Sequence, residues 1–295
     1  MSRVFNLGSV NIDHVYRMPR LARPGETLSS LGYARGPGGK GFNQSLALAR
    51  AGASVSHIGF IGEDGAWLRD FLSAEGVDCA GLGVADDATG HAIIQVLPGG
   101  ENSIFLHAGA NRHATRESVR AALAGAQADD WFLCQNETSA VAESLEEARK
   151  LGIKTALNAA PALDPKCAAI LHNVDLLVVN ESEAAALGGL SSPTEALAKL
   201  RSDFPALNIV LTLGAEGAIW SGPQIREKSP AVPADVVDTT AAGDTFTGYL
   251  LAALMRGSCP LVALALANRA ASIAVSRAGA AASIPFLREL EARGA

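Results

Sequence analysis

Cysteine is scarce in this 295-residue sequence, and no two cysteines form the C-x-x-C pair that is typical of zinc sites. Cys79, Cys134, Cys167 and Cys259 lie far apart, and we expect them to be small buried side chains in a reducing compartment. Aromatic residues make up only 5% of the chain. Because large rings are rare and glycine is abundant, the composition favours close packing of helices against a sheet.

Basic residues are not in excess, and the net charge of −6 gives no electrostatic reason to expect nucleic acid or an anionic membrane as a partner. The first residues, MSRVFNLGSVNID, contain no apolar stretch long enough for a signal peptide. The most apolar late stretch, LVALALANRAASIAV, is interrupted by Asn268 and Arg269, which predicts a buried helix rather than a membrane span. We therefore expect a cytoplasmic protein.

Short apolar runs alternate with helical patterns along most of the chain. The runs lack the polar alternation of a half-exposed sheet, which indicates parallel strands covered on both faces. This alternation predicts an α/β fold with a doubly wound, mostly parallel central sheet and helices on both faces. Ligands bind such folds at the carboxyl ends of the strands. The predicted strands are RVFNLGSV, SVSHIGFIG, WFLCQNE, IKTALNAAP, VDLLVVNESE and NIVLTLG.

Two segments, residues 13–35 and 88–107, break this rhythm and have the pattern of short strands and turns. The sequence LPGGEN lies between two β-rich runs and predicts a hairpin. We expect the two segments to form a small β-sheet lid over one end of the main sheet. Residues 1–295 contain no linker, internal repeat or low-complexity tract, which predicts a single domain that carries this lid.

The glycine-rich stretch RGPGGKGFNQ, residues 35–44, fits the dinucleotide pattern G-x-G-x-x-G. It follows the first lid segment instead of the first strand, and Pro37 lies inside it, which argues against a dinucleotide site. A Walker loop is excluded because no Ser or Thr follows Lys40. Two interpretations remain. Lys40 and Asn43 could bind the hydroxyls of a ligand, or the stretch could be a plain capped turn before a helix that starts near Phe42.

A second helix start lies in VVDTTAAGDTFTGYLLAALMRG, residues 236–257, after a predicted strand that ends at Val237. The small residues Ala241, Ala242 and Gly243 would leave backbone N–H groups free at the helix N-terminus, which is a ready anion site. Asp244 in the same turn would repel a merely bound phosphate, but it suits a base that accepts a proton during phosphoryl transfer. The alternative is a helix-start residue that the helix dipole favours.

Several motifs occur in order along nearly the whole chain: GSVNIDH, GGKGFNQSLALARAGA, HAGAN, QNE, NAAPA, NESE, LTLGAEGA, VDTTAAGDTFTGYL and ANRAASIAVSRAGAAASIP. With these motifs the sequence resembles the ribokinase-like (PfkB) family of carbohydrate kinases. The resemblance implies an ATP-dependent kinase that phosphorylates the primary hydroxyl of a small sugar, D-ribose above others, to ribose 5-phosphate. It also implies Mg²⁺ with the ATP, K⁺ as a monovalent-cation activator, and a homodimer formed through the lid.

The same resemblance assigns roles to four groups of residues. Asp244 would be the general base, beside an anion hole for the γ-phosphate formed by Ala241, Ala242 and Gly243. The sugar would be held by Asn11, Asp13, Gly39, Lys40, Asn43 and Glu137. ATP and its magnesium would be served by Asn180, Glu183, Thr212, Gly214, Gly217 and Asn268. The monovalent cation would be held by Asp238, Thr240, Ala274, Arg277, Gly279 and Ser283.

Phe42 departs from the family pattern, which commonly has a small residue at this position, and we expect it to reshape the sugar pocket. Fructose, another pentose or a nucleoside therefore stay open as substrates. A different class of protein, a non-catalytic sugar-binding protein on the same fold, would lack the base or the anion-hole glycine. Asp244 and Gly243 are both present, which favours the enzyme.

Overall fold

The structure is a computed structural model that describes residues 2–99 and 101–292. In chain order the strands are β1 (Arg3–Leu7), β2 (Asn11–Arg17), β3 (Gly32–Gly38), β4 (Ser54–Ile61), β5 (Asp78–Val84), β6 (Gly90–Val96), β7 (Asn102–His107), β8 (Trp131–Gln135), β9 (Lys154–Asn158), β10 (Leu176–Asn180), β11 (Asn208–Thr212), β12 (Ala218–Ser221) and β13 (Arg226–Ser229). The α-helices are α1 (Lys40–Arg50), α2 (Ala66–Ala74), α3 (Arg116–Ala122), α4 (Val141–Lys150), α5 (Glu181–Gly188), α6 (Pro193–Asp203), α7 (Ala242–Met255), α8 (Pro260–Val275) and α9 (Leu287–Ala292).

The larger of the two sheets has the strand order β13-β12-β11-β10-β9-β8-β1-β4-β5. Neighbouring strands from β5 through β11 are parallel, and β12 and β13 extend the sheet in antiparallel fashion. This confirms the predicted doubly wound, mostly parallel sheet. The chain order reverses beside β1, because β4 and β5 lie on one side of it and β8 to β11 on the other. Such a reversal is where α/β proteins bind their ligands.

Helices cover both faces of the large sheet. One buried apolar cluster includes residues of α1, α2, α7 and α8, among them Phe42 and Tyr249. The other includes residues of α3, α4, α5 and α6, among them Leu145. Strand β1 contributes to both clusters, Val4 to the first and Leu7 to the second, and neither side chain is exposed. Burial on both faces explains why these strands read as continuous apolar runs in the sequence.

One predicted strand is wrong. Residues 230–237, which were expected to end a strand at Val237, take part in no strand pairing. The Val237 N–H donates instead to the Val275 carbonyl at 2.8 Å. The apolar residues of this stretch include Val232 and Val236, which line a cleft described below rather than the core.

The smaller sheet has the order β3-β2-β6-β7 and is built from nearly the two segments that were predicted to form a separate β element. Strands β6 and β7 pair in antiparallel fashion, which confirms the hairpin around LPGGEN, although Gly100 in its turn lies outside the described residues. Strand β2 follows β1 after three residues, Gly8, Ser9 and Val10. The first strand of the large sheet therefore leads directly into the smaller one.

The cysteines differ from the expectation of uniform burial. Cys134 in β8 is buried, Cys79 is half-buried and Cys259 is exposed, while the side chain of Cys167 lies outside the described part of the structure. Among the described residues, no helix is both long enough and apolar enough to cross a lipid bilayer.

Candidate active site

The N-terminus of α1 is pressed against the end of β1. A Cβ atom on Gly8 would lie 2.3 Å from the Cα of Gly41, so neither residue can carry a side chain at this crossing. Gly39, the N-cap, has φ of 94° and would place a Cβ 2.8 Å from the Ser9 carbonyl oxygen. The glycines of the GGKG motif thus bring two backbones together. The helix begins at Lys40, two residues before the predicted start.

Ser9 and Glu137 join this helix start to the end of β8. The Ser9 hydroxyl donates to Glu137 Oε2 at 2.5 Å, and the backbone N–H of Lys40 donates to the same oxygen at 3.1 Å. Burial raises the pKa of Glu137, against the opposing attraction of the Lys40 ammonium group. Ser9 was not identified from the sequence, because a serine after a strand is too common to single out.

Asn11 at the start of β2 is held by a residue from the HAGAN motif. Asn111 donates from Nδ2 to Asn11 Oδ1 at 2.8 Å and accepts from the Val10 N–H at 2.9 Å. Both asparagine side chains are buried. A Cβ on Gly90 would lie 2.1 Å from Asn111 Nδ2, so a glycine is required beside this pair.

Asp13 lies two residues further along β2, and its side chain lies beside Gly38 of the neighbouring strand β3. A Cβ on Gly38 would lie 2.1 Å from Asp13 Oδ1, so the glycine makes room for the carboxylate. Burial, followed by repulsion from Glu137, raises the pKa of Asp13 to about 7. A carboxylate held in this way is poorly satisfied by the protein alone and suits a ligand that donates hydrogen bonds.

Asp244, in the first turn of α7, is the point where the two glycine-rich regions meet. The residue is only 7% exposed. Asn43 donates from Nδ2 to Asp244 Oδ2 at 3.1 Å, and Gln44 donates from Nε2 to Asp244 Oδ1 at 2.9 Å. The two neighbouring amides of α1 therefore hold one oxygen each. Ala241 before the helix adopts φ of 60°, a left-handed conformation that turns the chain into α7.

Buried charges surround Asp244. Burial raises its pKa, while attraction to Lys40 and the hydrogen bonds from Gln44 and Asn43 oppose that rise. Burial lowers the pKa of Lys40, but the carboxylates of Asp244, Glu137 and Glu183 outweigh burial, so its pKa is raised. Lys40 therefore stays charged and offsets part of the negative charge that the three carboxylates bring to the site.

The first turn of α7 presents backbone donors. The Ala242 N–H donates to the Thr239 carbonyl at 3.2 Å. Within the described residues, the Gly243 and Asp244 N–H groups make no such backbone bond. Apart from its chain neighbours and the adjacent backbone of its own helix, a Cβ on Gly243 would meet no atom within 4 Å, and its φ lies outside the left-handed region. Neither packing nor backbone conformation therefore requires glycine at 243.

A cleft of about 550 Å³ opens beside this helix start. It is lined by four of the predicted ATP-binding residues, Thr212, Gly214, Gly217 and Asn268, together with Ala242 and Gly243. The sequence did not identify its apolar lining, which is formed by Ala215, Ala231, Val232, Pro233, Ala234, Val236, Phe246, Ala271 and Val275. These residues come from four separate stretches, and nothing in their types marks them as a pocket.

Two of the cleft residues also have structural roles. Asn268 donates from Nδ2 to the carbonyl oxygens of Ser229 and Pro230, each at 3.1 Å. It thereby fixes the end of β13, directly before the residues from Ala231 to Val236 that line the cleft. A Cβ on Gly217 would lie 2.1 Å from the Ser229 carbonyl oxygen, so this glycine is required by the same close crossing.

Asn180 and Glu183 form a capping box at the start of α5. The Glu183 N–H donates to Asn180 Oδ1 at 2.8 Å, and the Asn180 N–H donates to Glu183 Oε2 at 2.9 Å. Local capping accounts for this N-x-x-E motif. The pair nevertheless belongs to the site electrostatically, because burial raises the pKa of Glu183 and the charges of Lys40 and Asp244 act on it in opposite directions.

Asp238 connects the loop before α7 to the loop after α8. Its Oδ1 accepts from the Thr240 N–H at 2.9 Å, and its Oδ2 accepts from the Gly279 N–H at 2.9 Å. The other residues predicted to bind a monovalent cation are less directly joined to it. The Ala274 carbonyl accepts from the Arg277 N–H, and the Ser283 hydroxyl donates to the Ala280 carbonyl.

The side chain of Phe42 points into the core and not toward the predicted sugar pocket, contrary to expectation. Its side chain is fully buried in the apolar cluster of α1, and its ring lies 5.7 Å from that of Phe71 in α2. Leu46, one helical turn later, belongs to the same cluster. The helical period therefore points Phe42 into the core.

Comparison with known proteins gives matches along nearly the whole chain. The family described as "pfkB family carbohydrate kinase" matches residues 1–287. A ribokinase from Haemophilus influenzae is 37% identical over 294 residues, which cover 96% of this chain and 95% of that protein. A ribokinase structure from Cryptococcus neoformans in complex with ADP has a TM-score of 0.88 at 36% identity, covering 99% and 100% of the two chains. An Arabidopsis thaliana ribokinase complexed with ribose and ATP has a TM-score of 0.87 at 28% identity, covering 99% and 98%.

Proposed function

Because the chain belongs to the pfkB family of carbohydrate kinases, we propose that it transfers the γ-phosphate of ATP to the primary hydroxyl of D-ribose, forming ribose 5-phosphate and ADP. The observation that carries this proposal is the position of Asp244. Its carboxylate contacts the polar start of α1 on one side, and on the other it begins the helix whose N–H groups line the cleft. Such a junction allows a sugar hydroxyl on one side to meet a phosphate on the other.

The sugar would bind between the start of α1, β2 and the end of β8. Asp13 and Glu137 supply carboxylate oxygens, and each such oxygen can accept more than one hydroxyl. Asn43 Oδ1 is buried and has no hydrogen-bond partner in the described structure, as expected of an acceptor reserved for a ligand. Asn11, Gly39 and Lys40 complete the proposed sugar site.

Asp244 would act as the general base. As the sugar oxygen forms its bond to the γ-phosphorus and the bond to the ADP oxygen breaks, the hydroxyl proton passes to Asp244. Burial raises the pKa of this carboxyl, which makes its ionised form a stronger base. Lys40 would balance the negative charge that gathers as the two substrates approach.

The phosphates would lie against the start of α7. The free N–H of Gly243 and the positive end of the helix dipole suit an anion, and Ala241 and Ala242 shape the turn that presents them. The adenine and ribose of ATP would occupy the 550 Å³ cleft, with its apolar walls and the residues Thr212, Gly214, Gly217 and Asn268. Mg²⁺ would be carried mainly by phosphates and waters, near Asn180 and Glu183.

A monovalent cation such as K⁺ would bind beside this turn. Its ligands would be oxygen atoms of Asp238, Thr240, Ala274, Arg277, Gly279 and Ser283. Oxygen donors of this kind fit a hard cation, and each carboxylate or carbonyl oxygen already in a hydrogen bond keeps a second lone pair. The cation would supply a fixed charge that orders the loop leading into Gly243.

The smaller sheet would serve as a lid on a single domain and as the surface through which two copies pair. Asp13 pairs with Ala92, and Ala92 with Leu106, so all three lie on one face of this sheet. Ile104, Phe105 and Leu106 on its edge strand are all more than half exposed, and such an edge favours pairing. Light scattering of the protein and of Leu106→Lys tests this pairing, since the variant should be monomeric.

We place the reaction in the cytoplasm, where ATP is produced.

The proposal is tested by measuring ADP release with D-ribose, D-fructose, another pentose and a nucleoside, each with ATP and Mg²⁺. We expect kcat/KM to be highest for D-ribose, with product phosphorylated at the primary hydroxyl. A far higher kcat/KM for a hexose or a nucleoside would overturn the substrate assignment and keep the reaction. Binding of ribose without ADP release from any acceptor would instead indicate a sugar-binding protein.

A further inference from the structure

A continuous set of buried amide side chains extends from Asp244 into the core. Gln44 donates from Nε2 to Asp244 Oδ1 at 2.9 Å and also to Asn158 Oδ1 at 2.9 Å. Its own carbonyl oxygen accepts from Gln135 Nε2 at 2.8 Å. Gln135 in turn donates to Asn6 Oδ1 at 2.9 Å. These side chains come from β1, β8, β9 and α1, so the set joins three neighbouring strands to one helix.

The partners of Gln44 allow only one orientation of its amide. Its NH₂ group faces two acceptors, Asp244 and Asn158, and its carbonyl faces the NH₂ group of Gln135. Turning the amide over would put its oxygen against both acceptors and its NH₂ against another donor. The neighbouring amide is fixed in the same way, because Gln135 donates to Asn6, whose own NH₂ group is committed to the Gly41 carbonyl at 2.9 Å. The donor that faces Asp244 is therefore determined by residues remote from the cleft.

We propose that Gln44 is a positioning residue for phosphoryl transfer, which holds the Asp244 carboxylate in the plane and ionisation state that the reaction needs. The inference rests on the proposed role of Asp244 as the base. Gln44 is fully buried and cannot touch the substrates, so it acts only through Asp244. Asn43 holds the other carboxylate oxygen, but it also has an oxygen free for the ligand, whereas Gln44 is committed to the protein.

The charged groups that face Asp244 make this anchor necessary. Lys40 from α1 attracts the carboxylate, while Glu137 after β8 and Glu183 in α5 repel it. The attraction and the two repulsions act on the carboxylate together, and without a fixed hydrogen-bond donor the carboxylate would turn toward Lys40. A displacement of about 1 Å at a reacting group lowers rates by roughly 100-fold. A hydrogen bond to the ionised form also lowers the pKa of the acid.

The test compares Gln44→Met, which keeps the length of the side chain and removes the amide, with Ser144→Ala as a control. Ser144 in α4 is equally buried, and its hydroxyl donates to the Ala140 carbonyl, outside the set of amides that ends at Asp244. We expect Gln44→Met to lower kcat about 10- to 100-fold with both KM values changed little. The acid limb of its pH–kcat profile should move up by about one pH unit. Ser144→Ala should lose stability and keep the kcat and the acid limb of the parent.

A third variant, Gln44→Glu, tests whether Asp244 needs a hydrogen-bond donor at position 44. A protonated glutamate can donate to Asp244, and an ionised one cannot, so kcat should exceed that of Gln44→Met near neutral pH and fall along a new alkaline limb. If Gln44→Met is not folded and fails to bind ADP, the alkaline limb of Gln44→Glu tests the positioning role of Gln44 instead. Parent-like kcat and pH profiles in the folded Gln44 variants would overturn the positioning role. Full turnover in Asp244→Asn, measured beside them, would overturn the proposed base instead.

Discussion

Replacing Gly243 with alanine tests separately whether this glycine is required for stability and whether it is required for activity with ATP. The residue lies in the first turn of α7 and is exposed, and its new methyl group would have no atom within 4 Å beyond its chain neighbours and the adjacent backbone of its own helix. Its φ lies outside the left-handed region, so alanine is not strained there. Alanine is favoured over glycine in a helix by up to about 1 kcal/mol. We therefore expect Gly243→Ala to be as stable as the parent or slightly more stable.

Its activity should change in the opposite direction. The methyl group would occupy the space through which a phosphate approaches the Gly243 N–H, at the mouth of the cleft. Removing one donor from a site that stabilises developing charge lowers kcat by roughly 100- to 1,000-fold. Urea unfolding and steady-state kinetics with varied ATP, on the same preparation, measure both effects. We expect unchanged or higher stability together with a large loss of kcat/KM for ATP and little change in sugar binding.

Gly248, one and a half turns later in α7, is the matched control. A Cβ there would lie 2.5 Å from the Ala47 Cβ and 3.0 Å from the Leu48 nitrogen in α1. Overpacking of this kind costs about 1–3 kcal/mol, which exceeds the gain in helix propensity. Gly248→Ala should therefore lose stability and, when folded, retain turnover. If Gly243→Ala shows the kcat and the KM for ATP of the parent, the reasoning that assigns this glycine to the phosphate is refuted.

Three further substitutions or conditions test other parts of the site. Asp244→Asn should nearly abolish kcat, by about 100- to 10,000-fold, while calorimetry still shows sugar and ATP binding; a stable variant with near-normal single-turnover rates would remove Asp244 as the base. Asp13 has a folded-state pKa of about 7 against 3.8 when unfolded, so its contribution to stability is full below pH 3.8 and is lost as pH rises through 7. Asp13→Asn should bind sugar weakly, yet in urea unfolding it should exceed the parent in stability at pH 8, by roughly 4 kcal/mol at most, and show little of this gain at pH 4. Asp78→Asn, whose parent pKa is lowered chiefly by the Ala80 N–H, should lose stability instead. Turnover should be faster in K⁺ than in tetramethylammonium at equal ionic strength, and equal rates would contradict the cation site at Asp238.

The sequence predicts the large sheet well because burial on both faces leaves continuous apolar runs. It predicts the starts of α1 and α7 because glycines and small residues mark them locally. Strands β5, β12 and β13 were missed: β5 and β13 are the two edge strands of the sheet, and β12 and β13 have only four residues each. The prediction of a strand that ends at Val237 was wrong because the apolar residues of this stretch line a cleft, and in the sequence they look the same as the apolar residues of a short strand.

The contacts around Asp244 could not be predicted in the same way. Gln44 and Asp244 are 200 positions apart, and an amide inside an amphipathic helix carries no signal of what it will meet. Phe42 shows the reverse case, because the helical period alone would have placed it with Leu46 in the core. Local patterns therefore locate the elements of the site, while the partners of each polar group depend on how distant strands come together.

The backbone contact between Gly8 and Gly41 limits how this protein can diverge. A side chain at either position would separate β1 from α1 and displace Ser9, Lys40 and Asn43 together. A lineage that changes its sugar preference must therefore leave this crossing intact. The freedom lies in the smaller sheet, where half-buried residues such as Ile94 lie outside the crossing. In laboratory evolution, new acceptors should arise from substitutions in that sheet, on an inherited and unchanged phosphoryl-transfer framework.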